Sequence, residues 1–253
     1  MSEPVVIVGM GEMGGVFARA FLGAGHPVFP VTRGQSMAEV AAILPDPALA
    51  LITVGEDELE GVLASLPPEW RGRVGLIQNE LLPRDWIAHG VEGPTVASVW
   101  FEKKPGTAVN EIIPTPVAGP GAALVVDALA SIGIMAVAIA GSELVDALVA
   151  KNLYILTVNI AGLRTGGTVS EVWENRGLAE SVGSEVLDIQ EHLVGAPIDH
   201  ERAVSGMVAA IEADPNHGAT GRSAPRRLER ALRHADEAGI EAPTLQAIAN
   251  DSL

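Results

Sequence analysis

The sequence predicts an α/β protein in two parts: a doubly wound parallel sheet over residues 1–140, then an all-helical region over residues 141–253. Three observations carry that expectation. Short continuous apolar runs alternate with helical patterns through the first part, as buried parallel strands and their crossover helices do. The glycine-rich stretch GMGEMGG at 9–15 stands between the first apolar run and the first helical pattern. After Ser142 the strand signals stop and only helical periodicity continues.

The strands predicted in order are PVVIVG at 4–9, HPVFPV at 26–31, ALALITV at 48–54 and RVGLIQN at 73–79. TVASVWFE at 95–102, EIIPTPVAG at 111–119 and IMAVAIA at 134–140 follow. The first helix, at 12–24, puts Val16, Phe17, Ala20 and Phe21 on one side, and another covers 121–131. Beyond the sheet, helical stretches fall at 142–165, 176–194, 199–213, 224–238 and 243–251. Gly195, Asp214-Pro215, and Gly239 with Pro243 break them.

Composition narrows the function classes. A hydrophobic content of 48% and a mean hydropathy of +0.30 support a sizeable core. The formal net charge of -16 opposes nucleic-acid phosphate and anionic lipid, so neither is an expected partner. With no cysteine there is no disulfide, thiolate catalysis or Cys-ligated metal, and the six histidines form no HxH or HExxH pair, so no metal site is expected. MSEPVVIVG carries an acid where a signal peptide needs bases, and the longest uncharged apolar run, 128–141, is too short to span a bilayer. A soluble, cytoplasmic protein is expected.

Gly9, Gly11 and Gly14 fill G-x-G-x-x-G at a strand-to-helix junction, which makes the first part a candidate Rossmann-type dinucleotide-binding domain. Gly9 permits the tight turn, Gly11 lets backbone approach a pyrophosphate, and Gly14 lets helix pack on strand. The segment Gly9, Met10, Gly11, Glu12, Met13 and Gly14 is the expected cofactor loop, with the helix N-terminus offering free N–H groups. An acid about 20 residues later would hold the ribose 2′-hydroxyl of NAD. Here Thr32 and Arg33 occupy that place, and a guanidinium suits a 2′-phosphate, so NADP(H) is the expected cofactor, with Ser36 as a further helper. Gln78 and Asn79 fall at the carboxyl end of the fourth strand, where ligands of open α/β sheets bind. Gln78 is placed with the cofactor. Asn79 suits the nicotinamide ribose or the substrate, or else closes the strand as an Asx turn.

The stretch LVAKNLYILTVNI at 148–160 sets one of the chain's three lysines, Lys151, inside an apolar helix. Lys151, Ile155, Val158 and Gly162 share one face, with Asn152 and Asn159 on the neighbouring one. Lys151 either snorkels to solvent or faces a cleft.

These residues resemble a known family. GMGEMG, Thr32-Arg33, the Gln-Asn pair at 78–79, K-x7-N in KNLYILTVN followed by GLRTGGTVSEVW, and the ending LERALRHADEAGIEAPTL are similar to the ketopantoate reductases. The resemblance spans nearly the whole chain, with gaps. It implies NADPH-dependent reduction of a small 2-keto acid or related carbonyl. Lys151 would be the general acid, its ammonium made a better proton donor by desolvation. Asn159 and Asn79 would complete the catalytic set. The apolar C-terminal helices, such as 205–212, could pack on their own domain or across a homodimer. Three positions depart from the family: Gly55-Glu56 where a lysine ends the third strand, Ile155 in place of an asparagine, and Ser223-Ala224-Pro225 in place of an acid. A substrate other than ketopantoate is therefore expected. Asn152, His217, Arg222 and Ser223 are its candidate contacts, the last three in a loop that could also be plain surface. Two alternatives stay open: an inactive NADP(H)-binding sensor or partner protein, and a reductase of an imine or opine-like substrate.

Overall fold

The computed structural model describes residues 2–252. The chain divides into two compact units, Met1–Val145 and Asp146–Leu253.

The first unit is built on a seven-stranded sheet. Strands β1 (Val5–Val8) and β3 (Leu49–Ile52) lie in its middle. Every residue of both is buried, because each strand is paired on both edges and covered on both faces. Strand β2 (Val28–Val31) pairs parallel with β1 at one edge, where Pro30, which has no N–H to donate, is tolerated. On the far side of β3 come β4 (Val74–Leu76) and β5 (Thr95–Ala97), both parallel. Helices α1 (Glu12–Gly23), α2 (Met37–Ile43), α3 (Glu56–Ala64) and α4 (Pro83–Ile87) occupy the connections. The chain leaves β1 for β2 on one side and continues from β3 on the other, so the strand order reverses beside the carboxyl end of β1. That is where open α/β sheets form a ligand crevice.

The parallel expectation fails at one pair. TVASVWFE breaks after β5, and Phe101–Glu102 (β6) forms a separate two-stranded sheet with Asn110–Glu111 (β7). The next strand, β8 (Thr115–Ala118), then returns antiparallel to β5. The difference is visible in the chain: no helix separates these runs, and a parallel return is usually made through a crossover helix. Helix α5 (Ala122–Ser131) supplies such a crossover, and β9 (Ala136–Ala138) pairs parallel with β8. Helix α1 packs closely on α5. A Cβ on Gly23 would lie 2.7 Å from Ser131 Oγ, and that hydroxyl donates to Ala20 O at 2.9 Å.

The second unit is helical. Its α6 (Leu144–Thr165), with the short turn before it, is long and apolar enough by length and composition to cross a membrane. Most of that span, 72%, is buried inside the protein, as in a core helix. Helices α8 (Arg176–Val194), α9 (His200–Ala213), α10 (Ala224–Ala238) and α11 (Pro243–Ser252) follow close to the expected bounds. The 205–212 stretch buries Met207, Ala210 and Ile211 within its own chain. One helix, α7 (Val169–Glu174), was not expected. Its signal is the capping box of Thr168 and Glu171: Glu171 N donates to Thr168 Oγ1 at 3.3 Å, and Thr168 N donates to Glu171 Oε2 at 2.8 Å.

A buried carboxylate closes this unit. Thr244 N and Leu245 N, in the first turn of α11, donate to Glu185 Oε1 and Oε2 at 2.8 and 2.9 Å. Glu185 stands on α8, so a charge from one helix satisfies the orphan donors of another. Replacing Glu185 with Ala should destabilise the helical unit by about 1–3 kcal/mol, since two buried donors lose a charged acceptor. Urea unfolding followed by circular dichroism checks this, and Glu185→Gln should recover part of the loss.

Candidate functional site

The glycine loop sorts its glycines by two kinds of need. Gly9 has φ +95°, and a Cβ there would lie 2.9 Å from Val54 Cγ1. A Cβ on Gly14 would lie 2.1 Å from Gly9 O and 2.9 Å from Thr53 Oγ1. Both positions are glycine because of the protein's own packing. Gly11, the N-cap of α1, differs: a Cβ there meets nothing within 4 Å. The space before Gly11 is open, and the first-turn N–H groups of α1 have no intrahelical partner. Thr53, at the end of β3, closes the arrangement, with its hydroxyl 2.5 Å from Gly9 O and 3.1 Å from Val8 O.

A groove of about 620 Å³ runs beside this turn, lined by Gly9, Met10, Gly11, Thr32, Arg33 and Glu58 among others. Five of the expected cofactor residues therefore share one concavity. Arg33 is 93% exposed along its side chain, and its Nη2 stands 3.3 Å from Glu58 Oε1 on α3. Thr32 is tied locally, its N and Oγ1 both donating to Gln35 Oε1 at 2.7 Å. Ser36 caps α2 by accepting from Glu39 N at 3.4 Å. Met13 is half-buried and packs against the sheet's core. Glu12 faces a second groove of about 640 Å³, where Lys103 Nζ lies 3.3 Å from its Oε2.

At the end of β4 the two amides separate in role. Gln78 is buried and ties strand ends together: its Nε2 donates to Ile52 O at 2.9 Å and Val54 O at 3.1 Å, and its Oε1 accepts from Ile77 N at 3.1 Å. Its amide holds backbone on both sides of the strand end. Asn79 is held from one side only, with Nδ2 donating to Glu56 Oε1 at 3.0 Å. That leaves its Oδ1 as the outward acceptor. Glu56 stands at the third strand's end, where a cation was expected from the resemblance.

In the helical unit Lys151 is 8% exposed, so it does not snorkel to solvent. Its Nζ lies 5.8 Å from the centroid of the Tyr154 ring, within cation–π range. Asn152 belongs to the core: its Nδ2 donates to Gln190 Oε1 on α8 at 2.9 Å. Asn159 is held at both ends. Its Nδ2 donates to Ala219 O at 2.8 Å, and its Oδ1 accepts from Arg227 Nη1 at 2.5 Å. Arg227 is a buried guanidinium that the sequence reading passed over. Its signal was register: Ala224, Leu228, Ala231 and Ala235 form the apolar stripe of α10, and Arg227 falls within it.

The loop of His217, Arg222 and Ser223 is fastened to the segment before α7. Val169 N donates to His217 O at 2.8 Å, and Ala219 N to Gly167 O at 3.0 Å. Gly162 allows the close approach, since a Cβ there would lie 2.9 Å from Thr220 Cγ2. His217 is partly buried with Nδ1 3.3 Å from Asp214 Oδ2, while Arg222 is exposed and Ser223 precedes α10 without capping it. Among the described residues no group of three His, Cys, Asp or Glu could hold a metal ion.

These features define the class: a doubly wound α/β unit with a glycine turn at its switch point, continued by an all-helical unit. The particular fold is that of the ketopantoate reductases. A PanE/ApbA family ketopantoate reductase from Ralstonia eutropha JMP134 superposes with a TM-score of 0.69 at 16% identity, covering 98% of this chain and 97% of that one. The 2-dehydropantoate 2-reductase from Methylococcus capsulatus gives 0.68 at 13% identity, covering 98% and 94%. A D-mandelate dehydrogenase solved with NADH gives 0.59 at 14% identity, covering 98% and 97%. No protein-family model matches the chain, and no curated protein matches it by sequence.

The two kinds of glycine predict opposite outcomes. Gly14→Ala should destabilise the first unit by about 1–3 kcal/mol, because its Cβ meets backbone. Gly11→Ala should leave the thermal midpoint unchanged or slightly raised, as a Gly-to-Ala change does where the conformation and space allow it. Thermal unfolding of both variants, without ligand, checks this.

Proposed function

We propose that this chain is a nicotinamide-dependent oxidoreductase that reduces a small 2-keto acid or a related carbonyl, with NADPH as donor and Lys151 as proton source. The observation that carries the proposal is Lys151: an ammonium 8% exposed on the apolar core helix α6. Burial lowers the cost of giving up the ammonium's proton, which suits a proton donor. The fold shared with ketopantoate reductases and with a D-mandelate dehydrogenase supports the reaction class.

A dinucleotide fits the first unit's residues. Gly11 opens onto free space, the α1 N-terminus offers donors to a pyrophosphate, and Arg33 is exposed for a 2′-phosphate. The bound nicotinamide would supply hydride. Lys151 polarises the substrate's carbonyl oxygen and gives a proton to the alkoxide that forms. Asn79 offers Oδ1 to a hydroxyl, and Asn159, fixed between Ala219 O and Arg227, presents a preset amide.

A second reading is favoured by one observation. Both ends of the Asn159 amide are engaged within the helical unit, and Ile155 adds no polar group one turn earlier. The chain would then bind NADP(H) without turnover, or act on an imine or opine-like substrate rather than a free keto acid. A panel of 2-keto acids followed by NADPH oxidation at 340 nm separates the readings. Turnover should appear with at least one acid, and Lys151→Ala should cut kcat by about 10²–10⁴-fold with NADPH binding retained. Cofactor-induced thermal stabilisation with no turnover on any carbonyl would favour the binding protein, and unchanged turnover by Lys151→Ala would remove the lysine's role.

A further inference from the structure

We propose that Glu58 is a cofactor-selecting residue, which makes the groove accept NADH as well as NADPH. The inference rests on the nicotinamide-cofactor reading above and concerns the adenosine end of that groove.

Glu58 is the third residue of α3, whose first turn reads Glu56, Asp57, Glu58. It lines the same groove as Gly11, Thr32 and Arg33. Its carboxylate stands 3.3 Å from Arg33 Nη2, and the two side chains are 53% and 93% exposed. An exposed pair of this kind is held weakly and exchanges readily with other partners. The arginine is thus the groove's phosphate-binding group, and a carboxylate is its resting counter-ion.

Two ligands would meet this pair differently. A 2′-phosphate brings close to two negative charges and competes with Glu58 for the same guanidinium. Glu58 then opposes the ligand as a like charge nearby. A bare ribose brings hydroxyl donors instead, and an ionised carboxylate is the acceptor such donors want. The acid that holds a ribose in NAD-binding sheets ordinarily ends the second strand. This chain has Thr32 and Arg33 there, and the acid arrives from across the groove on α3. Gly55, where a lysine would have added positive charge, leaves Arg33 with Glu58 as its ion-pair partner.

The test is equilibrium binding of NADH and NADPH to the full chain, followed by nicotinamide fluorescence at low and at physiological salt. The wild type should bind both. Glu58→Gln removes the repulsion and keeps the size, so NADPH should tighten and NADH weaken, changing their Kd ratio by about tenfold or 1.4 kcal/mol. The effect on NADPH should shrink as salt rises. Arg33→Ala should weaken NADPH far more than NADH. A Glu58→Gln variant that folds, binds both and keeps the wild-type ratio would overturn the proposal while leaving the cofactor reading intact. Wild-type protein that binds neither nucleotide would overturn both.

Discussion

The structure depends on one close approach: the backbone of Gly9, the first turn of α1 and the side chain of Thr53 occupy almost the same space. Gly14 can stand over Gly9 O only because it has no Cβ, which would come within 2.1 Å of that oxygen. Thr53 Oγ1 sits 2.5 Å from the same carbonyl and 3.1 Å from Val8 O, linking the end of β3 to the turn after β1. Once α1 is held this near the sheet, its N-terminus must point out over the switch point between β1 and β3. The open space at Gly11 follows from that, because a turn this tight leaves nothing else of the chain in front of it. The groove is a consequence of packing.

How much of this was legible in the sequence depends on the range of each signal. The glycine spacing and the apolar runs are local, and the fold class, the strand positions and the open N-terminus of α1 follow from them. The antiparallel return of β8 is legible in the missing helix between it and β5, a signal weaker than the apolar runs themselves. The short helix α7 announced itself only through Thr168 and Glu171. What could not be read was pairing across distance. Nothing local ties Gln78 to Ile52 O and Val54 O, Asn152 to Gln190, or Glu185 to the first turn of α11. Polar residues look alike in sequence whether they face a ligand or hold another segment of backbone.

Asn159 and Arg227 show the same limit in a form that bears on function. The asparagine was singled out for its place on the lysine helix, and the arginine was lost among the basic residues opening α10. The structure joins them at 2.5 Å, both buried, with the other end of the amide on Ala219 O. A guanidinium cannot be neutralised at any ordinary pH, so burying one requires hydrogen-bond acceptors. Asn159 Oδ1 is one of them. The asparagine is therefore set in orientation by a neighbour with no equivalent in the residues that carried the resemblance. Ile155 stands one turn before it on the same helix and adds no polar group.

The charge of the chain bears on the first unit in the same way, through neighbours rather than totals. A net charge of -16 argues against an anionic ligand only if distant acids act on the groove. At physiological ionic strength the screening length is about 8 Å, so acids farther away count for little at exposed sites. Two of the acids lining the grooves at the glycine turn, Glu12 and Glu58, each have a cation beside them: Lys103 at 3.3 Å and Arg33 at 3.3 Å. Lys103 is one of only three lysines, and it reaches Glu12 from the segment after β6. These two acids are thus countered locally, inside a strongly acidic protein.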